Sequence, residues 1–187
     1  MAKSDTRLKI LNTAAELFRT KGYYAVGLNE IIKASGAPKG SLYYYFPKGK
    51  EQLASEAVRF VGQRLRHEVE EQLYKVDDAA ASLQNLLKNM AADFNTRKNN
   101  YFSVALLALE TVENSGDLKT ACREVFDEWA DMYRLKLIRS GFCNDNAHRI
   151  SIMLQTLIEG MFTFAIAKND PSVFLLFAEI IPKLLES

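Results

Sequence analysis

The chain has 187 residues, of which 48% are apolar, 25% charged and 11% aromatic. This composition suits a folded protein with a core and excludes a disordered segment. No uninterrupted apolar run approaches the roughly 18–20 residues that span a bilayer, and the N-terminus lacks the apolar stretch of a signal peptide. Cys122 and Cys143 are too few for a disulfide scaffold and fit a reducing compartment. We therefore expect a cytoplasmic protein with no membrane partner.

The charges are unevenly distributed along the chain. Residues 1–60 carry a net charge of +5 and residues 61–187 carry −4, although the whole chain is at +1. A basic region next to an acidic remainder indicates a polyanionic partner for the basic part. The alternative is a charged surface that is merely solvated.

Glycine and proline recur through residues 1–49, so the helices predicted there are short. The apolar spacing predicts helices from Ser4 or Asp5 to Gly22, from Leu28 to Ala34 and from Pro38 to Tyr45. Ser35-Gly36-Ala37 is predicted as the turn between the second and third helices. Pro47 is expected to end the third helix.

Apolar residues recur at helical spacing in the rest of the chain, and no proline occurs between Lys48 and Asp170. No segment alternates with a period of two, so no strand is predicted. The spacing predicts six further helices, near residues 50–74, 79–95, 102–113, 118–140, 147–167 and 172–185. The fold class is therefore predicted to be all-α, with about nine helices.

Two short helices joined by a tight glycine turn have the form of a helix-turn-helix. In the second of them only Leu42 and Phe46 form an inward stripe, so packing must hold this short helix in place. Tyrosine hydroxyls and lysines beside it can bind phosphates, while Lys39 and Ser41 reach base edges. The remaining members of this polar set are Gly40, Tyr43, Tyr44, Tyr45, Lys48 and Lys50. A tyrosine-rich protein interface is the alternative, because tyrosine is enriched there too.

These residues also carry a family resemblance. Gly22-Tyr23, Ile31, the run from Gly36 to Phe46 and Lys50-Glu51-Gln52-Leu53 closely resemble the DNA-binding signature of the TetR (tetracycline-repressor) family. Gly27-Leu28-Asn29 and the linker from Pro47 to Lys50 are similar to the LmrA/YxaF-type branch. The resemblance is specific over roughly residues 7–55 and rests on helix number and length beyond them.

The resemblance implies a nine-helix homodimer that represses transcription until a small-molecule effector releases it from a palindromic operator in double-stranded DNA. Residues 1–49 would form the helix-turn-helix DNA-binding domain and residues 50–187 the ligand-binding and dimerisation domain. By position, Lys39, Gly40, Ser41, Tyr43 and Tyr44 fall on the recognition helix, and Tyr43 and Lys50 fall where the family contacts phosphate.

The chain departs from the family pattern at two places. Many members have a threonine pair before the second helix that contacts phosphate, and here these positions hold Val26 and Gly27. Contacts from that end would then come from backbone N–H groups or from Asn29. Tyr45 stands where histidine is common, and its hydroxyl can still form hydrogen bonds.

An apolar pocket that mixes aromatic residues with adaptable methionine is predicted for the second domain. The expected lining is Met90, Phe94, Phe102, Leu106, Glu110, Phe126, Trp129, Tyr133, Met153 and Leu157. For any one of these residues, ordinary core packing is the alternative. Glu110 and Glu159 fall among apolar residues, so each is predicted to be paired, hydrogen-bonded or protonated, and each could recognise a cationic ligand.

The last two helices are apolar on more than one face, which exceeds what one core stripe requires. A four-helix interface, with two helices from each subunit, explains this pattern and is typical of the family. The residues predicted at this interface are Ile158, Met161, Phe174, Phe177 and Ile181.

Catalytic chemistry has little support in the sequence. His67 and Glu71 are four positions apart and could ligate a metal, but a solvated charged face explains them better. No nucleotide-binding loop and no nucleophile elbow occurs. We therefore predict a ligand-responsive DNA-binding regulator without cofactor, metal or catalytic residues. The alternatives are an all-α small-molecule binding protein that does not bind an operator, and a small all-α enzyme.

Overall fold

The computed structural model describes residues 3–96, 101–111 and 116–186. Within these ranges the chain forms nine helices of seven residues or more and no strand, so the predicted all-α class is confirmed. The helices are α1 (Lys3–Lys21), α2 (Leu28–Ser35), α3 (Lys39–Tyr45), α4 (Lys50–Leu73), α5 (Ala79–Ala92), α6 (Val104–Glu110), α7 (Asp117–Arg139), α8 (Asn144–Lys168) and α9 (Ser172–Leu185).

The helix ends follow local backbone chemistry. Gly22, Gly36 and Gly141 end helices at φ values of +81°, +61° and +96°, a region that glycine enters without strain. α6 begins at Val104 because the Ser103 side chain accepts a hydrogen bond from the Leu106 amide. α8 begins three residues earlier than predicted, and the end predicted for α6 lies outside the described residues.

The chain divides into two compact units. Unit 1 comprises residues 1–64 and 102–125, and unit 2 comprises residues 65–101 and 126–187. The boundary predicted between residues 49 and 50 separates a DNA-binding domain from a ligand-binding domain by function. The two compact units do not test this boundary, and it stays a prediction.

Unit 1 is built around α1, which packs against α2 and α3. The first four turns of α4 bury Leu53, Ala54, Ala57, Val58 and Val61. Gly62 follows on the same helix, and a Cβ atom there would lie 2.7 Å from two methyl carbons of Val125. A side chain at position 62 would therefore force α4 and α7 apart within this unit.

Unit 2 has an apolar core to which α5, α7, α8 and α9 contribute. α9 packs against α5 and α8, and the Gln84 side chain donates a 2.8 Å hydrogen bond to the Ala178 carbonyl. Lys136 on α7 holds the turn after α4, because its Nζ donates hydrogen bonds to the carbonyls of Val76 and Asp77. Burial lowers the pKa of Lys136, and the charges of Asp77 and Asp78 oppose that shift.

Among the described helices, α8 alone is long and apolar enough to cross a membrane, with a mean hydropathy of 1.6 in its most apolar window. Polar residues such as Gln155 and Glu159 interrupt its apolar stretch, so the expectation that no apolar run approaches this length is not contradicted. The core helix of a folded protein passes the same test. In α8 a residue is buried every three or four positions, so that one face of the helix packs against the protein. That face comprises Ala147, Ser151, Leu154, Ile158, Phe162 and Ala165.

Candidate nucleic-acid interface

The turn between α2 and α3 is short and tightly bonded. Gly36 takes the left-handed conformation, and the buried Ser35 hydroxyl accepts a 3.3 Å hydrogen bond from the Ala37 amide. Pro38 is the N-cap of α3, so its missing N–H leaves no donor unsatisfied at the start of the helix. The predicted helix-turn-helix is present, with α3 beginning one residue later than expected.

Two buried side chains hold α3, and most of its other residues are exposed. Leu42 and Phe46 both have a relative exposure of 0%, as their spacing predicts. Tyr43 and Tyr44 are 45% and 69% exposed. Lys39 and Gly40 are exposed, and Ser41 and Tyr45 are half-buried. Because a seven-residue helix is marginal alone, the two buried side chains fix the orientation of the exposed ones.

The loop from α3 to α4 is bridged by Gln52, which was not among the site residues predicted from the sequence. Its side-chain oxygen accepts a 2.9 Å hydrogen bond from the Lys48 amide, and its nitrogen lies 3.4 Å from the Tyr45 carbonyl. Gln52 thus ties the end of α3 to the first turn of α4. The sequence does contain a signal for this role of Gln52. It lies three residues after Gly49, at the N3 position of a helix, where a glutamine side chain can bind a backbone N–H group.

Lys48 and Lys50 have different surroundings. Lys48 is exposed and its Nζ lies 3.6 Å from the Asp117 carboxylate. Lys50 is half-buried, with its Nζ 3.4 Å from the Tyr24 carbonyl oxygen and 4.4 Å from the centre of the Tyr23 ring. Burial lowers the pKa of Lys50, and the negative charge of Glu110 opposes that shift.

The start of α2 has no side-chain cap. Gly27 is its N-cap and Val26 before it is buried, so Val26 cannot reach a phosphate. Asn29 is exposed in the first turn. The amides of that turn and Asn29 are therefore the groups that this end of α2 offers to DNA.

Glu110, predicted as part of an effector pocket, lies in unit 1 and contacts the turn between α1 and α2. Its carboxylate oxygen Oε2 accepts a 2.7 Å hydrogen bond from the Tyr23 amide, in the turn between α1 and α2. Phe102, Leu106 and Glu110 belong to unit 1, and Leu106 is 47% exposed. A hydrogen-bonded carboxylate is one of the states predicted for Glu110, and its role in binding an effector stays a prediction.

The other seven residues predicted to line a pocket belong to unit 2. Three of them, Met90, Phe94 and Tyr133, are buried. The half-buried ones are Phe126, Trp129, Met153 and Leu157. The Phe126 and Trp129 rings meet edge to face with centroids 6.1 Å apart. Their role in binding an effector stays a prediction.

Unit 2 also contains a polar cluster around Glu159 on α8. The Glu159 carboxylate accepts a 2.8 Å hydrogen bond from the Tyr101 hydroxyl, and the Gln155 amide lies 3.4 Å from it. The Tyr101 ring stacks on Phe162, with centroids 4.8 Å apart. Burial raises the pKa of Glu159, and burial together with the Glu159 charge raises the pKa of the Tyr133 phenol.

Four of the five residues predicted for the dimer interface lie in the core of unit 2. Ile158, Met161, Phe174 and Ile181 are at most 7% exposed, and only Phe177 is half-buried. These four side chains pack against their own unit, and their role at a dimer interface stays a prediction. The apolar side chains that α8 and α9 do expose are Ile152, Phe164, Ile166, Leu175, Leu176 and Ile180.

No group of three or more metal-ligating side chains occurs in the described ranges. The His67 and Glu71 side chains lie 3.4 Å apart, and both are mostly exposed, as expected of a solvated face. Cys122 is buried and Cys143 is exposed, and both are free thiols. Burial raises the pKa of Cys122 to about 11.

Comparison with known proteins agrees with this geometry. Residues 10–57 match the family model described as bacterial regulatory proteins, tetR family, and residues 79–180 match the C-terminal domain described as transcriptional regulator LmrA/YxaF-like. The chain is 40% identical to the HTH-type transcriptional regulator YxaF of Bacillus subtilis, over 98% of this chain and 97% of that one. It is also 40% identical to HTH-type transcriptional regulator LmrA of the same organism, over the full length of both chains.

Solved structures confirm the fold. The TetR-family transcriptional regulator SCO4454 from Streptomyces coelicolor aligns with a TM-score of 0.80 at 18% identity, covering 98% of this chain and 95% of its own. The reduced form of NemR from Escherichia coli aligns with a TM-score of 0.79 at 19% identity, covering 96% and 97%. These relatives are regulators and not enzymes. The chain belongs to the TetR family of transcriptional regulators, and its C-terminal domain is of the LmrA/YxaF-like type.

Proposed function

We propose that this cytoplasmic protein is a homodimeric repressor that a small apolar or aromatic effector releases from a near-palindromic operator. The observation that carries the proposal is the packing of α3. Two fully buried side chains, Leu42 and Phe46, fix this helix, and its other side presents Lys39, Tyr43 and Tyr44 to solvent. An anchored short helix with an exposed basic and hydroxyl surface suits the major groove.

The exposed residues divide into two roles. Lys39 and Ser41, in the first turn of α3, contact base edges, whereas Tyr43, Lys48 and Lys50 contact backbone phosphates. A lysine that contacts a base changes which sequence is preferred. A residue that contacts phosphate weakens binding to all sequences, and a lysine among them also sets the salt dependence.

A gel-shift titration with the DNA that flanks the protein's own gene tests the proposal. Wild-type protein is expected to bind one site, and Lys39→Ala to relax base preference at one position per half-site at a cost of about 1–3 kcal/mol per subunit. Ser41→Ala is expected to act in the same direction but less strongly. Absence of any preferred sequence in a randomised-site selection with wild-type protein would refute operator binding.

The proposed dimer rests on the exposed apolar side chains of α8 and α9. Six large apolar residues on two neighbouring helices are more than a monomer normally leaves in water. A two-fold dimer buries such a surface against its own copy and brings two α3 helices to half-sites about one helical turn apart.

The effector proposal rests on unit 2, whose core contains aromatic and methionine side chains and whose polar cluster at Glu159 lies beside Tyr101. Such a mixture suits a small aromatic molecule that carries a polar group. An effector bound there is expected to change the emission of Trp129, the single tryptophan, at concentrations that also release operator DNA. A compound found by thermal shift that releases DNA with unchanged emission would place the effector elsewhere.

A further inference from the structure

The turn between α1 and α2 is held by a carboxylate from α6. Glu110, the last residue of α6, accepts a 2.7 Å hydrogen bond from the Tyr23 amide through Oε2. Its other oxygen, Oε1, lies only 2.5 Å from where a Cβ atom of residue 22 would stand. Residue 22 is glycine at a φ of +81°, so the backbone both turns there and admits the carboxylate. The contact links residues 87 positions apart.

The same turn holds Lys50. The Lys50 Nζ lies over the Tyr23 ring at 4.4 Å and 3.4 Å from the Tyr24 carbonyl, so both neighbours of the ammonium group come from the segment that Glu110 fixes. The charge of Glu110 also raises the pKa of Lys50 against the lowering by burial. One carboxylate thus fixes the segment that contacts Lys50 and favours the protonated form of its ammonium group.

A purely structural link would behave differently. If Glu110 only held α6 to α1, its loss would lower the free energy of unfolding, and any loss of DNA binding would be independent of Lys50. If it positions Lys50, the two residues share one contribution to DNA binding. Two substitutions that share a contribution are not additive.

We propose that Glu110 is a positioning residue for DNA binding, which holds the α1–α2 turn so that the Lys50 ammonium meets a backbone phosphate. The inference rests on the proposed role of Lys50. Glu110 lies within residues 79–180, the range that matches the C-terminal family model. The proposal therefore gives a residue of the C-terminal domain a role in operator binding. Neither the recognition helix nor the linker contains it.

Three substitutions at Glu110 test separately its hydrogen bond, its charge and the length of its side chain. Glu110→Ala removes the acceptor, and full-length protein is expected to bind operator about tenfold more weakly, with a salt slope reduced by about one phosphate per subunit. Glu110→Gln keeps an acceptor for the Tyr23 amide and is expected to stay within about threefold of wild type. Glu110→Asp keeps the charge but is one carbon shorter, so it is expected to behave like Glu110→Ala.

The control is Glu124, which belongs to the same unit and pairs with Arg59 at 2.7 Å. Glu124→Ala and Glu124→Gln are expected to leave operator affinity and salt slope unchanged. Thermal melts of every variant identify any that fail to fold. Gly22→Ala disturbs the contact from the other side, through the Cβ atom that meets Oε1, and is expected to weaken operator binding as Glu110→Ala does.

The deciding measurement is the double-mutant cycle. In a Lys50→Ala background, Glu110→Ala is expected to cause less than about a twofold further loss of operator affinity. A full tenfold further loss would overturn the proposal, as would wild-type affinity in folded Glu110→Ala or Lys50→Ala protein. Wild-type protein that binds no operator would refute the proposed function itself and this inference with it.

Discussion

α3 and α9 each pack one side of a helix against the protein, and they differ in what the other side shows to solvent. α3 exposes Lys39, Tyr43 and Tyr44, whereas α9 exposes Leu175, Leu176 and Ile180. Hydroxyls and ammonium groups can bind phosphates, whereas exposed leucine gains only from another apolar surface. The exposed side of a helix therefore indicates its partner, while the buried side indicates only how it is held.

The largest effect is expected from a charged substitution among the exposed apolar side chains of α8 and α9. Leu176→Glu places a charge on a residue that is 55% exposed, so the subunit should fold but should not dimerise. Operator affinity is then expected to fall by more than about 100-fold, because a monomer contacts one half-site. Sedimentation velocity measures the oligomer.

The matched control for that change is Leu135→Glu on α7, where the leucine is 37% exposed and lies outside α8 and α9. It is expected to remain a dimer. A Leu176→Glu protein that sediments as a dimer and binds operator normally would remove α9 from the interface.

The next effect separates the two sides of α3. Leu42→Ala deletes a fully buried side chain and is expected to lower the free energy of unfolding by about 2–5 kcal/mol. Tyr44→Ala removes a residue that is 69% exposed, so it should change stability by less than about 0.5 kcal/mol while weakening operator binding. Urea unfolding and gel shift together measure both quantities. Equal stability losses in the two variants would contradict the assigned orientation of α3.

Much of this contrast was predictable from local sequence. Leu42 and Phe46 are one turn apart on a short helix that is otherwise polar, so the buried side was identified correctly. Gly22 was predicted to end a helix and Gly36 to lie in a turn, and both take a positive φ. These features depend on neighbours within four positions, which the sequence displays directly.

What could not be predicted depends on contacts that are distant in sequence. α8 and α9 are apolar on several sides, so periodicity could not say that Phe174 packs inside while Leu175 and Leu176 face solvent. The position of Glu110 between apolar residues predicted a paired or hydrogen-bonded carboxylate, but it could not identify the partner, an amide 87 positions away. Only tertiary structure brings such groups together.

A smaller effect concerns the carboxylate of α8. The pKa of Glu159 lies above its ordinary value of 4.5, so the folded protein binds this proton more tightly than the unfolded chain. Stability from this group is therefore present below pH 4.5, falls as the pH rises through the folded pKa, and is absent above it. Glu159→Gln removes this titration and can still accept the Tyr101 hydrogen bond, so it should be more stable than wild type at pH 7.

The measurement is urea unfolding of both proteins from pH 4 to pH 8. The difference in the free energy of unfolding between Glu159→Gln and wild type should grow with pH. Other carboxylates, such as Glu16 with its lowered pKa, titrate in both proteins and cancel in the difference. A difference that shrinks with pH would mean that the ionised carboxylate is stabilised in the fold.

The smallest effect compares a buried and an exposed thiol without changing the fold. Burial in α7 raises the pKa of Cys122 to about 11, whereas Cys143 is exposed just before α8. Because the thiolate is the reactive form, a maleimide at pH 7 should modify Cys143 at least about 100-fold faster than Cys122. Cys143→Ser should then abolish the fast phase, and mass spectrometry counts the adducts.

Labelling of Cys143 should leave function unchanged. Cys143 is not part of α3 and is not one of the exposed apolar residues of α8 and α9, so the singly labelled protein should dimerise and bind operator as wild type does. Fast labelling of Cys122 in the folded protein would show that α7 opens far more readily than its packing implies.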